Sequence, residues 1–154
     1  IPKGLVGSEM CIRDSSILAL VSIVDGALDL LISGMSLQKI LGYIFAPICW
    51  LLGVPWSEAP SAAELLGLKL ATNEFVAYIQ LGGLEPEFFS DRTKVILLYA
   101  LCGFANFSSV GILISGIGAM APERTGDLID VSVKALVGAT LASCLTGLVA
   151  GLFV

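Results

Sequence analysis

The sequence contains no histidine and little charge. Charged residues make up 14% of the chain, against about 25% in a typical soluble domain. The lack of histidine excludes Ser-His-Asp and Cys-His catalysis, HExxH metal sites and the usual switch near neutral pH. A soluble protein with so few charges would expose large apolar patches and aggregate. The scarcity of charge therefore predicts a surface that is covered mostly by lipid.

Basic patches and cysteine pairs are also missing. The net charge is −5, so no basic stripe is present that could neutralise the phosphates of a nucleic acid. The cysteines form no CxxC pair, and three of the four lie in apolar runs. They are Cys11, Cys49, Cys102 and Cys144. We therefore predict no disulfide framework, no metal site and no covalently bound cofactor.

Long apolar runs dominate what is present. Hydrophobic residues make up 56% of the chain, and the mean hydropathy is +0.95. These residues are gathered into runs separated by short polar stretches, as in helices that cross or enter a bilayer. The sequence predicts an all-α, multi-pass integral membrane protein.

Residues 1–15 differ from the rest. They show no helical or strand periodicity, and Leu5 to Ser15 resembles the in-frame translation of a widely used transposase sequencing adapter. We therefore interpret residues 1–15 as a non-native segment that joins a natural chain, 16–154, whose apolar helix begins at Ser16. Sequencing the genomic locus is expected to show no codons for Leu5 to Ser15 in frame with Ser16. Contiguous codons would contradict the adapter interpretation.

The apolar stretch from Ser16 to Ser33 contains two acidic residues. Asp25 and Asp29 are four residues apart, so both carboxylates share one helix face. A charge at bilayer depth costs about 2.5–3.5 kcal/mol on the milder insertion scale. This face is therefore either an ion or proton site, or a polar face near the water boundary.

The middle of the chain predicts two membrane features. Two short apolar segments flank polar Thr72–Glu74, which is typical of a re-entrant helical hairpin over about 58–84. A polar cluster with glycine at 103–109 then interrupts a broken helix over about 95–121. Discontinuous helices of this kind form the substrate sites of secondary transporters. A last spanning helix, rich in small residues, is predicted over about 130–154.

Local signals predict where the helices begin and end. Pro47 predicts a kink or an end in the helix that runs from Leu37 to Val54. Ser61 with Glu64 matches a capping box at the start of the hairpin. Ser108 and Ser109 are placed to cap the second half of the broken helix.

Two motifs resemble the signatures of the concentrative nucleoside transporter family. Residues 67–78 match G-x-K-x-x-x-N-E-F-V-A, and residues 99–112 contain G-F-A-N-F-S-S at the expected distance. The tripeptide at 122–124 and the helix after it also fit. The likeness extends from about Ser16 to Val154 and covers the C-terminal half of such a transporter.

The resemblance implies ion-coupled symport of a nucleoside, with uridine-like or purine ribonucleosides as substrates. The coupling ion would be sodium or a proton, and its family site would lie upstream of this chain. It also implies a transport domain of a homotrimer in the plasma membrane, or the inner membrane of a bacterium. The chain would supply the ribose-binding half of the site, through Glu74, Asn106 and Ser109, with Phe104 packed against the base. Lys69, Asn73 and Phe75 would support the hairpin tip.

Each proposed site residue also has a structural interpretation. Glu74 could pair with Lys69, Phe104 could simply pack, and Asn106 or Ser109 could cap the broken helix. Two other functions remain open: an incomplete, inert piece of a transporter, and an intramembrane hydrolase. Without histidine, the hydrolase would need Ser108 or Ser109 with Lys69 or Lys94, whereas the resemblance implies that the protein is not an enzyme.

Overall fold

The computed structural model describes the backbone of residues 3–154 and the side chains of 15, 16 and 19–154. Within that part of the chain it contains α-helices, one 3₁₀-helix and no strand. The helices are α1 (Lys3–Leu31), α2 (Leu37–Leu51), α3 (Ala59–Ala71), α4 (Glu74–Gly82), α5 (Asp91–Leu101), α6 (Phe107–Met120), a 3₁₀-helix (Pro122–Arg124) and α7 (Thr125–Gly151).

The first helix is longer than predicted. It begins at Lys3 rather than Ser16, so the predicted helix start at Ser16 is wrong. Leu5, Glu9, Met10 and Arg13 are good helix formers, and no proline follows Pro2 until much later, so local propensity permits the helix. Residues 1 and 2 of the predicted adapter segment lie outside the described residues, and the origin of that segment stays a prediction.

The hairpin and the broken helix are both present, with shifted boundaries. Helices α3 and α4 form the hairpin, and α5 and α6 are separated by residues 102–106. α5 begins at Asp91 because Ser90 caps it by accepting a hydrogen bond from the Thr93 amide. α2 continues through Pro47 and ends at Leu51, so Pro47 does not end it.

The predicted capping box at Ser61 is wrong. α3 begins at Ala59, with Pro60 in its first turn, and Glu58 occupies the N-cap position without capping the helix through its side chain. Proline is tolerated there because the first amides of a helix have no partner within the helix. The Glu58 carboxylate instead accepts hydrogen bonds from the Ser90 amide at 3.2 Å and the Ser90 hydroxyl at 3.1 Å. This contact joins the base of the hairpin to the start of α5.

The buried core lies where α2, α3, α5 and α7 meet. Its centre combines small and branched side chains, with Cys49, Ala62, Ile96 and Ala100 all fully buried. α2 and α3 come especially close at Gly67, where a Cβ would lie 2.7 Å from the Leu41 Cβ. This tight packing places the hairpin firmly against its neighbours.

α7 is suited to cross a membrane and packs against α5 through small residues. Pro122–Gly151 is the one stretch among the described residues long and apolar enough to span a bilayer, and it contains most of the predicted last helix. Of its predicted small residues, Ser143, Gly147 and Gly151 are buried, whereas an added Cβ at Gly138 would meet nothing within 4 Å. Only part of the predicted small-residue set therefore forms the helix contact.

This difference predicts opposite effects of one added methyl group. At Gly147 a Cβ would lie 2.7 Å from the Ile96 carbonyl oxygen and 2.9 Å from the Ala100 Cβ. We expect Gly147→Ala to lower the free energy of unfolding by about 1–3 kcal/mol through overpacking. Gly138→Ala, on the same helix, should raise it by up to about 1 kcal/mol through helix propensity. Thermal denaturation in detergent measures both, and equal melting temperatures would contradict the packing argument.

Candidate functional site

The hairpin tip consists of Thr72 and Asn73, followed by Glu74 as the first residue of α4. The Asn73 backbone is extended, and its side-chain oxygen accepts a hydrogen bond from the Val76 amide at 2.9 Å. The Thr72 hydroxyl donates to the Leu68 carbonyl at 2.6 Å at the end of α3. The Asn73 bond satisfies an amide of the first helical turn that has no partner within α4, and the Thr72 hydroxyl adds a second bond to a carbonyl that already accepts from the Thr72 amide. They place the half-buried carboxylate of Glu74 in the first turn of α4.

Asn106 begins the second half of the broken helix. Its backbone is extended, and its side-chain oxygen accepts hydrogen bonds from the Ser109 amide at 2.7 Å and the Ser109 hydroxyl at 2.8 Å. The predicted capping by Ser108 and Ser109 is therefore wrong: Asn106 caps the helix, and Ser109 is the residue that donates. Ser108 is buried in the first turn.

The hairpin tip and the helix break meet through one hydrogen bond. The Asn106 side-chain nitrogen donates to Glu74 Oε2 at 3.0 Å, and Asn106 is only 1% exposed. A bond between a buried amide and a carboxylate is charge-assisted and stronger than a neutral bond. The Asn106 amide has a second hydrogen that can donate, and the Glu74 carboxylate has a second oxygen that can accept. The N-termini of α4 and α6 converge at this point.

Lys69 does not pair with Glu74. Its ammonium group donates to the Ala100 carbonyl at 3.0 Å, although Lys69 is only 3% exposed. Ion pairs within the described side chains join Lys94 with Asp91 and Arg124 with Asp127, so the alternative Glu74–Lys69 pair is wrong. The acceptor belongs to the last turn of α5, which loses its helical amide partners at the break.

Tyr78 is a contact that the sequence prediction missed. Its hydroxyl donates to the Leu98 carbonyl at 2.6 Å. Tyr78 lies at the end of the first motif, four residues after Glu74 and on the same face of α4. That spacing could have drawn attention to it, although no sequence pattern identifies the partner carbonyl.

Phe104 and Ser109 line a mostly apolar cavity of about 230 Å³ between α6 and α7. Phe104 is 81% exposed, and Phe75 at the hairpin tip is also exposed. The structure thus joins Glu74, Asn106 and Ser109 by hydrogen bonds. Among the described side chains, no aromatic ring packs on Phe104. The remaining walls are aliphatic or small and come from the helix break, α6 and α7: Ala105, Val110, Leu113, Ile114, Ile117, Leu128, Val131, Ser132, Ala135, Leu136 and Ala139.

Asp25 and Asp29 bind the backbone between α1 and α2. Asp29 accepts a hydrogen bond from the Gly34 amide, and Asp25 accepts one from the Leu37 amide, both at 2.7 Å. Gly34 has φ of 84°, a left-handed conformation that glycine adopts without strain. The described side chains contain no group of three acidic or cysteine residues that could hold a metal ion. These contacts favour a structural role, stabilising the turn and the start of α2, over an ion site.

The lysines of the hydrolase hypothesis are bound elsewhere. Lys69 donates to the Ala100 carbonyl, and Lys94 pairs with Asp91 at 2.8 Å. A Ser-Lys mechanism needs the amine beside the serine hydroxyl as its base. The Ser109 hydroxyl instead donates to Asn106.

The sequence of almost the whole chain matches one family profile. The profile is described as "Na+ dependent nucleoside transporter C-terminus", and the match covers residues 10–151. The chain belongs to the concentrative nucleoside transporter family.

Individual relatives of this transporter family agree with the profile. The chain is 44% identical to the uncharacterized transporter YutK of Bacillus subtilis, across 88% of this chain and 35% of that protein. It is 43% identical to the nucleoside permease NupC of Helicobacter pylori, across 78% of this chain and 30% of that protein. The chain thus spans about a third of the length of these relatives.

A solved structure shares the fold. The inward-facing, substrate-bound structure of CNTnw superposes with a TM-score of 0.85 at 37% identity, covering 97% of this chain and 38% of that one. The predicted all-α transporter fold, with a helical hairpin and a broken helix, is confirmed. The family profile and the relatives are transporters. This chain is therefore part of a membrane transporter, not of an enzyme.

Proposed function

We propose that the full-length protein moves nucleosides across the plasma membrane by sodium-coupled symport, and that this chain supplies the ribose-binding half of its site. The hydrogen bond between Glu74 and Asn106 is the observation that carries this proposal. It brings a carboxylate and an amide together where a hairpin tip meets a broken helix, the arrangement in which transporters bind substrates. Sodium is preferred over a proton because the family description names it, and the ion site is expected upstream.

The chemistry of the pair suits neighbouring hydroxyl groups. A ribose 2′- or 3′-hydroxyl both donates and accepts, so it can donate to the open oxygen of Glu74 and accept from the second amide hydrogen of Asn106. Ser109 stays beside them through its bond to Asn106. An analogue that lacks one hydroxyl would leave a buried group unpaired, at about 1–3 kcal/mol.

Phe104 is proposed to contact the base. Its ring is exposed beside the hydrogen-bonded cluster and has no aromatic partner in the described part of the chain. A base presents a flat π-face that stacks on aromatic rings with little dependence on hydrogen bonds.

The remaining assignments concern the whole protein. We propose a multi-pass protein of the plasma membrane, or of the inner membrane in a bacterium, that assembles as a homotrimer. Large apolar side chains of the helices, such as Tyr43, Leu51 and Leu145, are exposed. Lipid and further protein surfaces would cover them.

Reconstitution in liposomes tests this function. The full-length transporter is expected to accumulate labelled uridine when an inward sodium gradient is imposed, and to lose accumulation when potassium replaces sodium. Unlabelled purine and pyrimidine ribonucleosides should be tested as competitors, with glucose as a control solute. Equal uptake in both gradients would contradict sodium coupling. Correctly inserted protein that takes up no nucleoside would contradict the substrate class.

A further inference from the structure

Lys69 is a buried charged residue that the proposed ribose contacts do not use. It lies on α3, five residues before Glu74, and its ammonium group donates to the Ala100 carbonyl. Buried lysines normally require a charged partner, yet Lys69 takes part in none of the ion pairs of the described side chains. Its partner is instead the C-terminal end of α5.

The end of α5 has a specific need for donors. The chain leaves the helix after Leu101, and the Cys102 amide bonds to the Tyr99 carbonyl rather than to Leu98. The carbonyls of Leu98 and Ala100 therefore lose the amides that a continuous helix would supply. A helix C-terminus also carries roughly half a negative charge, which an ammonium group can neutralise.

The hairpin supplies both missing donors, one from each arm. Lys69 of α3 bonds to Ala100, and Tyr78 of α4 bonds to Leu98 at 2.6 Å. Glu74 lies between these two residues in the chain, at the tip that they hold. At the other end of the hairpin, Glu58 bonds to Ser90, the cap of α5.

We propose that Lys69 and Tyr78 are positioning residues, which hold the hairpin tip against the end of α5 and thereby set the geometry between Glu74 and Asn106. This inference rests on the proposed function, because it assigns these residues to the ribose site. The helix break that creates the site also provides the carbonyls to which the hairpin is attached. A longer distance between Glu74 and Asn106 would misplace the donor and acceptor for the sugar hydroxyls.

The test compares Lys69→Met and Tyr78→Phe with Lys39→Met in the full-length transporter. Lys39 is a matched control because its ammonium group also donates to a backbone carbonyl, that of Gly34 at 2.6 Å. It is exposed and lies far from Lys69 and Tyr78 in the sequence. Competition by uridine and its 2′- and 3′-deoxy analogues measures sugar discrimination. Lys69→Met is expected to reduce that discrimination about tenfold and Tyr78→Phe by a smaller factor, whereas Lys39→Met should match the wild type.

Two further measurements separate positioning from general stability. Without nucleoside, hydrogen exchange at residues 98–106 should accelerate in Lys69→Met, while the melting temperature in detergent stays within a few degrees of wild type. Unchanged discrimination would overturn the proposal, whether uptake stays normal or falls together with the melting temperature. If the wild type itself does not distinguish uridine from its deoxy analogues, the proposed ribose site is wrong. The exchange measurement then still tests whether Lys69 attaches the hairpin to α5, and unchanged exchange would show that it does not.

Discussion

Glu74→Gln in the full-length transporter is expected to reduce nucleoside uptake by at least tenfold while leaving expression and membrane insertion intact. Glutamine preserves the shape of the side chain but removes the charge that strengthens bonds to sugar hydroxyls, each worth about 1.5–3 kcal/mol. The substitution also replaces one acceptor oxygen with an NH₂ group, which is a donor. If the glutamine oxygen faces Asn106, as Glu74 Oε2 does now at 3.0 Å, its NH₂ group faces the sugar as a donor where an acceptor is needed.

Initial rates of labelled uridine uptake, normalised to the amount of inserted protein, measure this effect. Glu87→Gln serves as a matched control because it makes the same change of charge at an exposed position between α4 and α5. The control is expected to keep wild-type uptake. A well-expressed Glu74→Gln variant with normal uptake would show that the carboxylate has only a structural role.

Asn106→Ala and Phe104→Ala are expected to fail in different ways. Asn106→Ala should weaken the binding of all ribonucleosides. It should also reduce the difference in affinity between ribonucleosides and analogues that lack the contacted hydroxyl, because the amide that donates to this hydroxyl is gone. Phe104→Ala should remove base stacking, worth about 1–3 kcal/mol in comparable sites. That loss should depend on the base and leave sugar discrimination nearly unchanged. Competition of labelled uridine by base-modified and deoxy analogues measures both profiles.

The capping role of Asn106 requires a control of its own. Asn106→Ala also removes the N-cap of α6, at a cost of about 0.5–2 kcal/mol in stability. Ser36→Ala removes the cap of α2, where the serine hydroxyl accepts from the Lys39 amide, far from the site in sequence. It should lower stability without changing selectivity. If both site variants keep the wild-type selectivity and only bind more weakly, the proposed division between sugar and base is wrong.

The order of the elements could be predicted from the sequence because composition changes abruptly at their boundaries. The polar residues at 72–74 and the glycine with asparagine at 103–106 interrupt apolar runs too short to span a bilayer. Helix starts were less predictable, because several residues near each start can cap. At α6 three candidates lie within four residues, and the extended backbone of Asn106 decides between them.

The contacts that build the site depend on distant parts of the chain. Nothing in the sequence around Lys69 indicates that its partner is a backbone carbonyl 31 residues away. A nearby carboxylate, such as that of Glu74, is the simpler expectation for a lysine. Asp25 likewise bonds to an amide 12 residues ahead, which periodicity within one helix cannot reveal. The motifs identified which residues matter, whereas the partner of each residue depends on how the helices pack.

Two helices begin beside the Glu74 carboxylate. This arrangement affects which solutes, charged or uncharged, the proposed site can bind. α4 and α6 begin at residues joined by the bond between Asn106 and Glu74. Each helix start contributes roughly half a positive charge, and Glu74 contributes one negative charge, so these three contributions nearly cancel. A nucleoside, the substrate proposed for this site, is uncharged and would need no counter-ion there. We therefore expect the proposed site to disfavour nucleotides, because their phosphate would approach helix starts whose positive charge Glu74 already balances.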